Sequence, residues 1–90
     1  MADHVESIFR RPRVEDTSGY SRSTLYLRIS QGLWTRPVSL GPRAVGWPAG
    51  EVAALNAARI ASKSDDEIRR LVTQLHVART AAVADLGQRP

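Results

Sequence analysis

The chain has 90 residues, which is enough for one small domain and too few for a large enclosed active site. It contains no cysteine, and this excludes disulfide staples and cysteine-based zinc sites. Thirteen basic residues against nine acidic ones give a formal charge of +4. All of the basic residues but Lys63 are Arg, the side chain suited to bidentate contact with phosphate and guanine. The charge is uneven: residues 1–48 hold seven Arg against four acids, and the back half is closer to neutral. No apolar run approaches the roughly 20 residues a membrane span needs. The acidic start, Met1-Ala2-Asp3-His4-Val5-Glu6, has no hydrophobic signal region behind it, so neither secretion nor a membrane partner is expected.

Residues 1–7 are expected to be a flexible tail. Ile8 and Phe9 then form a short apolar pair, suited to a brief strand or a hydrophobic plug. Pro12 can open a helix, because its missing N–H is not needed there. That helix should run to Ser18, with Val14 facing in, and Gly19 should break it. Ser21 is a good N-cap for a second helix, since its hydroxyl can accept from free first-turn N–H groups. Gly32 can take the left-handed conformation that ends it. Leu25 and Ile29 lie four apart and share the inner face. Two short helices joined by a Gly-containing turn are a helix-turn-helix signature.

After Gly32 the helical spacing stops. Val38 and Leu40 alternate with Ser39, a strand-like period of two. Gly41-Pro42-Arg43 has turn chemistry, and Ala44–Trp47 reads as the returning strand. The result is a small β-hairpin with Arg43 at its tip. Pro48 closes it. A third helix is expected over 49–61, with Val52, Leu55, Ala58 or Arg59, and Ile60 inward. Ser64 and Glu67 then form a capping box for a fourth helix over about 65–84. Its apolar stripe runs through Ile68, Leu71, Val72, Leu75, Ala78, Ala82 and Val83. Residues 85–90 are expected to be a tail. The expected class is mainly α with a small β-hairpin, a winged helix-turn-helix over 8–61 with an added C-terminal amphipathic helix over 62–84. That last helix either folds back to complete the core or pairs with its copy in a homodimer.

The catalytic inventory is poor. His4 and His76 each lack a second ligand at metal spacing. Asp65, Asp66 and Glu67 are explained by a helix start. Ser21 lacks a neighbouring base, so a cap is the better reading than a nucleophile. The two glycines of Gly41–Gly46 do not make a phosphate loop. No metal, no cofactor and no enzymatic activity are expected. The DNA-binding inventory is richer. At the second helix, Ser21, Arg22, Ser23 and Thr24 are candidates for base edges or phosphates, and Tyr26 and Arg28 for phosphate. Arg36 sits just before the hairpin. Arg43 at its tip suits a narrow minor groove. The same residues also fit a solvated basic surface with a structural Tyr26.

Ser21-Arg22-Ser23-Thr24-Leu25-Tyr26, then Gly32, then the run from Pro37 to Trp47, then Glu51-Val52, resemble the AlpA-type phage regulatory proteins. These are similar to excisionases and to the small winged-helix modules of the MerR group. The hairpin carries the most specific part, in Val38, Leu40, Gly41, Arg43, Val45, Gly46 and Trp47. The chain departs from the family pattern in exchanging an Arg and an apolar residue at Leu27 and Arg28, and in having Thr35 where Pro is usual. The resemblance implies major-groove reading by Arg22, Ser23, Thr24 and Tyr26, and wing contact by Arg43. It implies a bacterial, cytoplasmic, nucleoid-associated regulator of prophage or island genes, binding double-stranded DNA. Such a protein activates integrase or excision genes or acts as a recombination directionality factor. The alternative is a protein-interaction module that docks on an integrase or RNA polymerase, with DNA contact secondary.

Overall fold

The structure, a computed structural model, describes residues 5–87, with side chains as far as residue 81. Residues 1–4, with His4, and 88–90, in the expected C-terminal tail, lie outside it, as do the side chains of Ala82 and Val83. In chain order the elements are β1 (Ile8–Arg10), α1 (Arg11–Ser18), α2 (Arg22–Ser30), β2 (Val38–Gly41), β3 (Ala44–Pro48), α3 (Ala49–Ile60) and α4 (Asp65–Gly87). The class is the expected one, mainly helical with a small antiparallel sheet, and it is compatible with a winged helix-turn-helix. The fourth helix continues three residues beyond its expected end at Ala84.

The sheet order is β1-β3-β2, so the brief strand at Ile8 adds to the hairpin, and its Phe9 packs against the core. Phe9 lies opposite Trp47, and Val38 lies opposite Gly46. Gly46 sits where a side chain has no room. A Cβ there would stand 2.6 Å from Ile8 Cγ2 and 3.0 Å from the Phe9 carbonyl oxygen. The central strand can therefore be flanked closely on both sides only because this residue is Gly.

Trp34 and Trp47 are the largest fully buried side chains and anchor a core with Val14, Leu25, Leu33, Val52 and Leu55, whereas Ile60, the last residue of α3, stands 85% exposed instead of inward. Truncating either Trp to Ala would cost on the order of 3–5 kcal/mol, because the cavity left behind would collapse only in part. Trp47 is satisfied where it is buried: its indole N–H donates to the Thr35 carbonyl at 2.9 Å. Ile68 and Val72 of α4 belong to the same buried cluster, and Leu71 and Leu75 pack against it. Between Ile68 and Leu75 the stripe of α4 thus faces the core of its own chain.

Helix ends follow the residues that sequence reasoning assigned to them, with partners added from a distance. Ser21 Oγ accepts the Thr24 N–H at 3.3 Å. Ser64 and Glu67 make both bonds of the capping box, at 3.0 and 3.2 Å. Gly32, at φ +75°, ends α2 with the paired bonds Gly32 N–H to Ile29 O and Leu33 N–H to Arg28 O. The free carbonyls at the end of α1 are met from α3, with Asn56 donating to Thr17 O at 3.0 Å and Arg59 to Ser18 O at 2.9 Å. The expected tail over 1–7 is shortened by the same need. Ser7 O accepts the Ala49 N–H, and the Glu6 carboxylate accepts the Gly50 N–H at 2.9 Å, so these two residues close the start of α3.

Candidate nucleic-acid interface

The site is built on α2 and on the hairpin that follows it. With about 3.6 residues per turn, burying Leu25 and Ile29 leaves Ser23, Tyr26, Leu27 and Ser30 on one outward arc. Arg22 and Ser23 occupy the first turn and are exposed, beside N–H groups that favour anions. Ser21 and Thr24 are less available. The Ser21 hydroxyl caps the helix and donates to Thr24 Oγ1 at 3.0 Å, and Thr24 is half-buried.

Tyr26 joins the helix to the hairpin. Its ring meets Trp47 of β3 edge-on, with centroids 6.4 Å apart and planes at 66°. The outward arc of α2 therefore borders the sheet, and the ring's orientation is set by a fully buried partner. Arg43 stands at the turn between β2 and β3, exposed, with φ +58°. A left-handed conformation at a residue with a Cβ costs about 1–2 kcal/mol, which Gly would avoid. Arg36 is exposed just ahead of β2. The side chains of Arg22, Arg36 and Arg43 make no hydrogen bond or ion pair among the described residues, so each guanidinium is available to an external anion.

Arg28 is not brought to this face. It lies half-buried on the inner flank of α2, with its guanidinium carbon 5.8 Å from the Tyr20 ring and its Nε buried without a partner. Its position about 60° from Leu25 on the helical wheel carries that signal, because a residue three after a buried one flanks the same face. Leu27 takes the place on the outward arc, 53% exposed. The exchange of residue types at 27 and 28 thus puts an apolar side chain outside and a cation inside.

Two residues outside the expected set shape the site from behind. His76 of α4 accepts the Arg36 backbone N–H at Nε2, 3.1 Å away. Its pKa is lowered by burial and by the nearby charges of Arg36 and Arg79, so the neutral, accepting form is favoured. Arg79 grips the Glu51 carboxylate with Nε at 2.7 Å and Nη2 at 2.6 Å, and Nη2 also donates to Arg36 O at 2.7 Å. Glu51 is a buried carboxylate in the first turn of α3, a charge that needs such a partner. Among the described residues there is no group of His, Asp and Glu placed to hold a metal ion, and no helix is long and apolar enough to cross a membrane.

A short helix whose outward arc borders a hairpin with a cationic tip presents an open surface rather than an enclosed pocket. Residues 7–59 match the family described as "Prophage CP4-57 regulatory protein (AlpA)", and the chain belongs to that family. It is similar to "Uncharacterized protein ORF88" of Enterobacteria phage P4, with 43% identity over 58 residues, 64% of this chain and 66% of that protein. The match therefore spans just under two thirds of that relative. No solved structure matches. The matched residues end at the close of α3, so α4 and its contacts to Arg36 lie beyond them.

Proposed function

We propose that this chain is a sequence-specific double-stranded DNA-binding regulator of prophage or mobile-element genes. In this reading it activates integrase or excision functions or acts directly as a recombination directionality factor. α2 enters the major groove by its first two turns, with Arg22 and Ser23 at base edges or phosphates and Tyr26 at the backbone. The hairpin serves as a wing, with Arg43 in the minor groove or on its phosphates. One observation carries the reading: Arg22, Arg36 and Arg43, around a helix and a hairpin joined by Tyr26 and Trp47, have no partner among the described residues. Membership of a prophage regulatory family supports it. Docking on an integrase or RNA polymerase through the α4 stripe draws less support, because Ile68, Leu71 and Val72 pack inside this chain.

Fluorescence anisotropy on duplexes tiling the chain's own upstream DNA tests the proposal. Binding should weaken linearly in log K against log salt, with a slope of about −0.9 per phosphate contacted. Arg22→Ala and Arg43→Ala should each weaken binding by about 1–3 kcal/mol with the helical circular dichroism unchanged. Parent-like binding by both folded variants would show that the recognition roles lie elsewhere.

A further inference from the structure

Arg36 has an unusual setting for an exposed residue. Pro37 follows it, so its backbone is confined to extended conformations. Both of its main-chain groups are then held by the same helix. Its N–H donates to His76 Nε2 at 3.1 Å, and its carbonyl accepts from Arg79 Nη2 at 2.7 Å. The residue before it is tied inward by the bond from Trp47 to Thr35 O. Nothing comparable holds the Arg36 side chain, which is left in solvent. The guanidinium of Arg79 does one thing more. It joins Arg36, where the chain enters the hairpin, to Glu51, just after the chain leaves it. Both roots of the hairpin are therefore tied to one side chain of α4.

We propose that His76 and Arg79 are positioning residues for DNA contact. They fix the main chain of Arg36 from both directions, so that its guanidinium meets a phosphate beside the hairpin in a set pose. This rests on the DNA-binding reading above. It assigns α4 a role in recognition that needs no contact between α4 and DNA. A pre-set backbone reduces the conformational freedom that Arg36 would otherwise lose on binding.

The test is a double-mutant cycle between positions 36 and 76, read as DNA affinity and as its salt slope, with urea unfolding of every variant in parallel. Arg36→Ala should weaken binding about three- to tenfold and reduce the salt slope by about 0.9, one phosphate contact. His76→Ala, which removes the acceptor of the Arg36 N–H, should reproduce most of that loss. In the Arg36→Ala background it should add nothing. His76→Gln, whose side-chain carbonyl can accept the same N–H, should restore at least half. Should His76→Ala not fold, His76→Leu keeps the packing volume without the acceptor and takes its place in the cycle. Equal losses from the His76 substitution in both backgrounds would mean a general structural role and overturn the proposal. So would a normal affinity and slope in folded His76→Ala. If Arg36→Ala binds normally while Arg22→Ala does not, the positioning proposal fails and DNA binding stands. If no Arg substitution alters binding, both fall.

Discussion

The arginines of this chain divide into two populations. At the rear, Arg59 caps Ser18 O and lies 4.2 Å over the Tyr20 ring, Arg69 caps Gln31 O at 2.9 Å, and Arg79 clamps Glu51. Each closes a helix end or neutralises a buried charge. Around α2 and the hairpin, Arg22, Arg36 and Arg43 have no such employment among the described residues. Lack of a partner alone is a weak signal, since Arg10 and Arg70 also have none among the described residues. What separates the front set is where it stands: at a helix start, at the root of a hairpin, and at a tip held in a strained conformation. The demands of folding account for Arg59, Arg69 and Arg79 and leave Arg22, Arg36 and Arg43 unexplained. That residue of unexplained charge is what points to an external anion.

The sharpest way to break the division is to remove one member of each population and compare stabilities. Arg79→Ala leaves Glu51, whose side chain is 8% exposed, buried without its partner. The loss should be about 3 kcal/mol, the low end for a broken buried pair because Arg79 itself is 19% exposed. Arg22→Ala should change stability by less than about 0.5 kcal/mol, as a surface substitution away from any buried network. Urea denaturation of the two variants decides the matter. Equal effects would erase the distinction between engaged and available arginines.

A smaller effect sharpens the same contrast through the backbone. Two residues with side chains stand at φ +58°, Arg43 at the hairpin tip and Ser62 after α3. Ser62 closes α3 much as Gly32 closes α2, with its own N–H on Arg59 O and the Lys63 N–H on Ala58 O, both at 3.0 Å. Gly is better suited to both positions. Ser62→Gly and Arg43→Gly should each raise stability by about 0.5–1 kcal/mol, the relief of left-handed strain less the extra freedom of Gly in the unfolded chain. Thermal melts check that half. On DNA the two should part company, Ser62→Gly binding as the parent and Arg43→Gly losing affinity. A matching loss in both would mean that hairpin-tip charge is not what DNA meets.

The fold was legible because its punctuation is local. Ser21, Gly32 and the Ser64–Glu67 pair mark helix ends through bonds made within five residues. The hairpin is announced by alternation and by Gly41-Pro42, and the outward position of Arg22 and Arg43 follows from those same elements. Residues whose partners are far away in sequence were not legible. Nothing near Glu51 foretells Arg79, and nothing near His76 foretells the Arg36 N–H, 40 residues earlier. Glu6 and Ser7 read as tail for the same reason, their partners being Gly50 and Ala49. Arg28 is a different kind of miss. Its inward phase was implied by Leu25, and its charge alone made it look like part of the DNA face.

The smallest expected effect concerns pH, and it probes the rear contact without removing any arginine. His76 is held below its ordinary pKa of 6.5, first by burial and then by Arg36 and Arg79, with Glu51 opposing. The unfolded chain therefore takes up a proton at this position at higher pH than the folded one. Stability then rises with pH across that interval. The contribution is fully present above about pH 6.5 and is lost as the pH falls through the lower, folded-state pKa. His76→Gln removes the titration and should flatten the profile there. His4 is present in both proteins and cancels from the comparison. Glu67, held below 4.5 by the hydrogen bonds from Ser64, loses its contribution only at lower pH, so the two steps separate. Urea midpoints taken from pH 7.5 down to 5 give the difference curve. Parallel curves would mean that the bond from the Arg36 N–H to His76 contributes nothing to stability, and α4 would then hold the root of the hairpin through Arg79 alone.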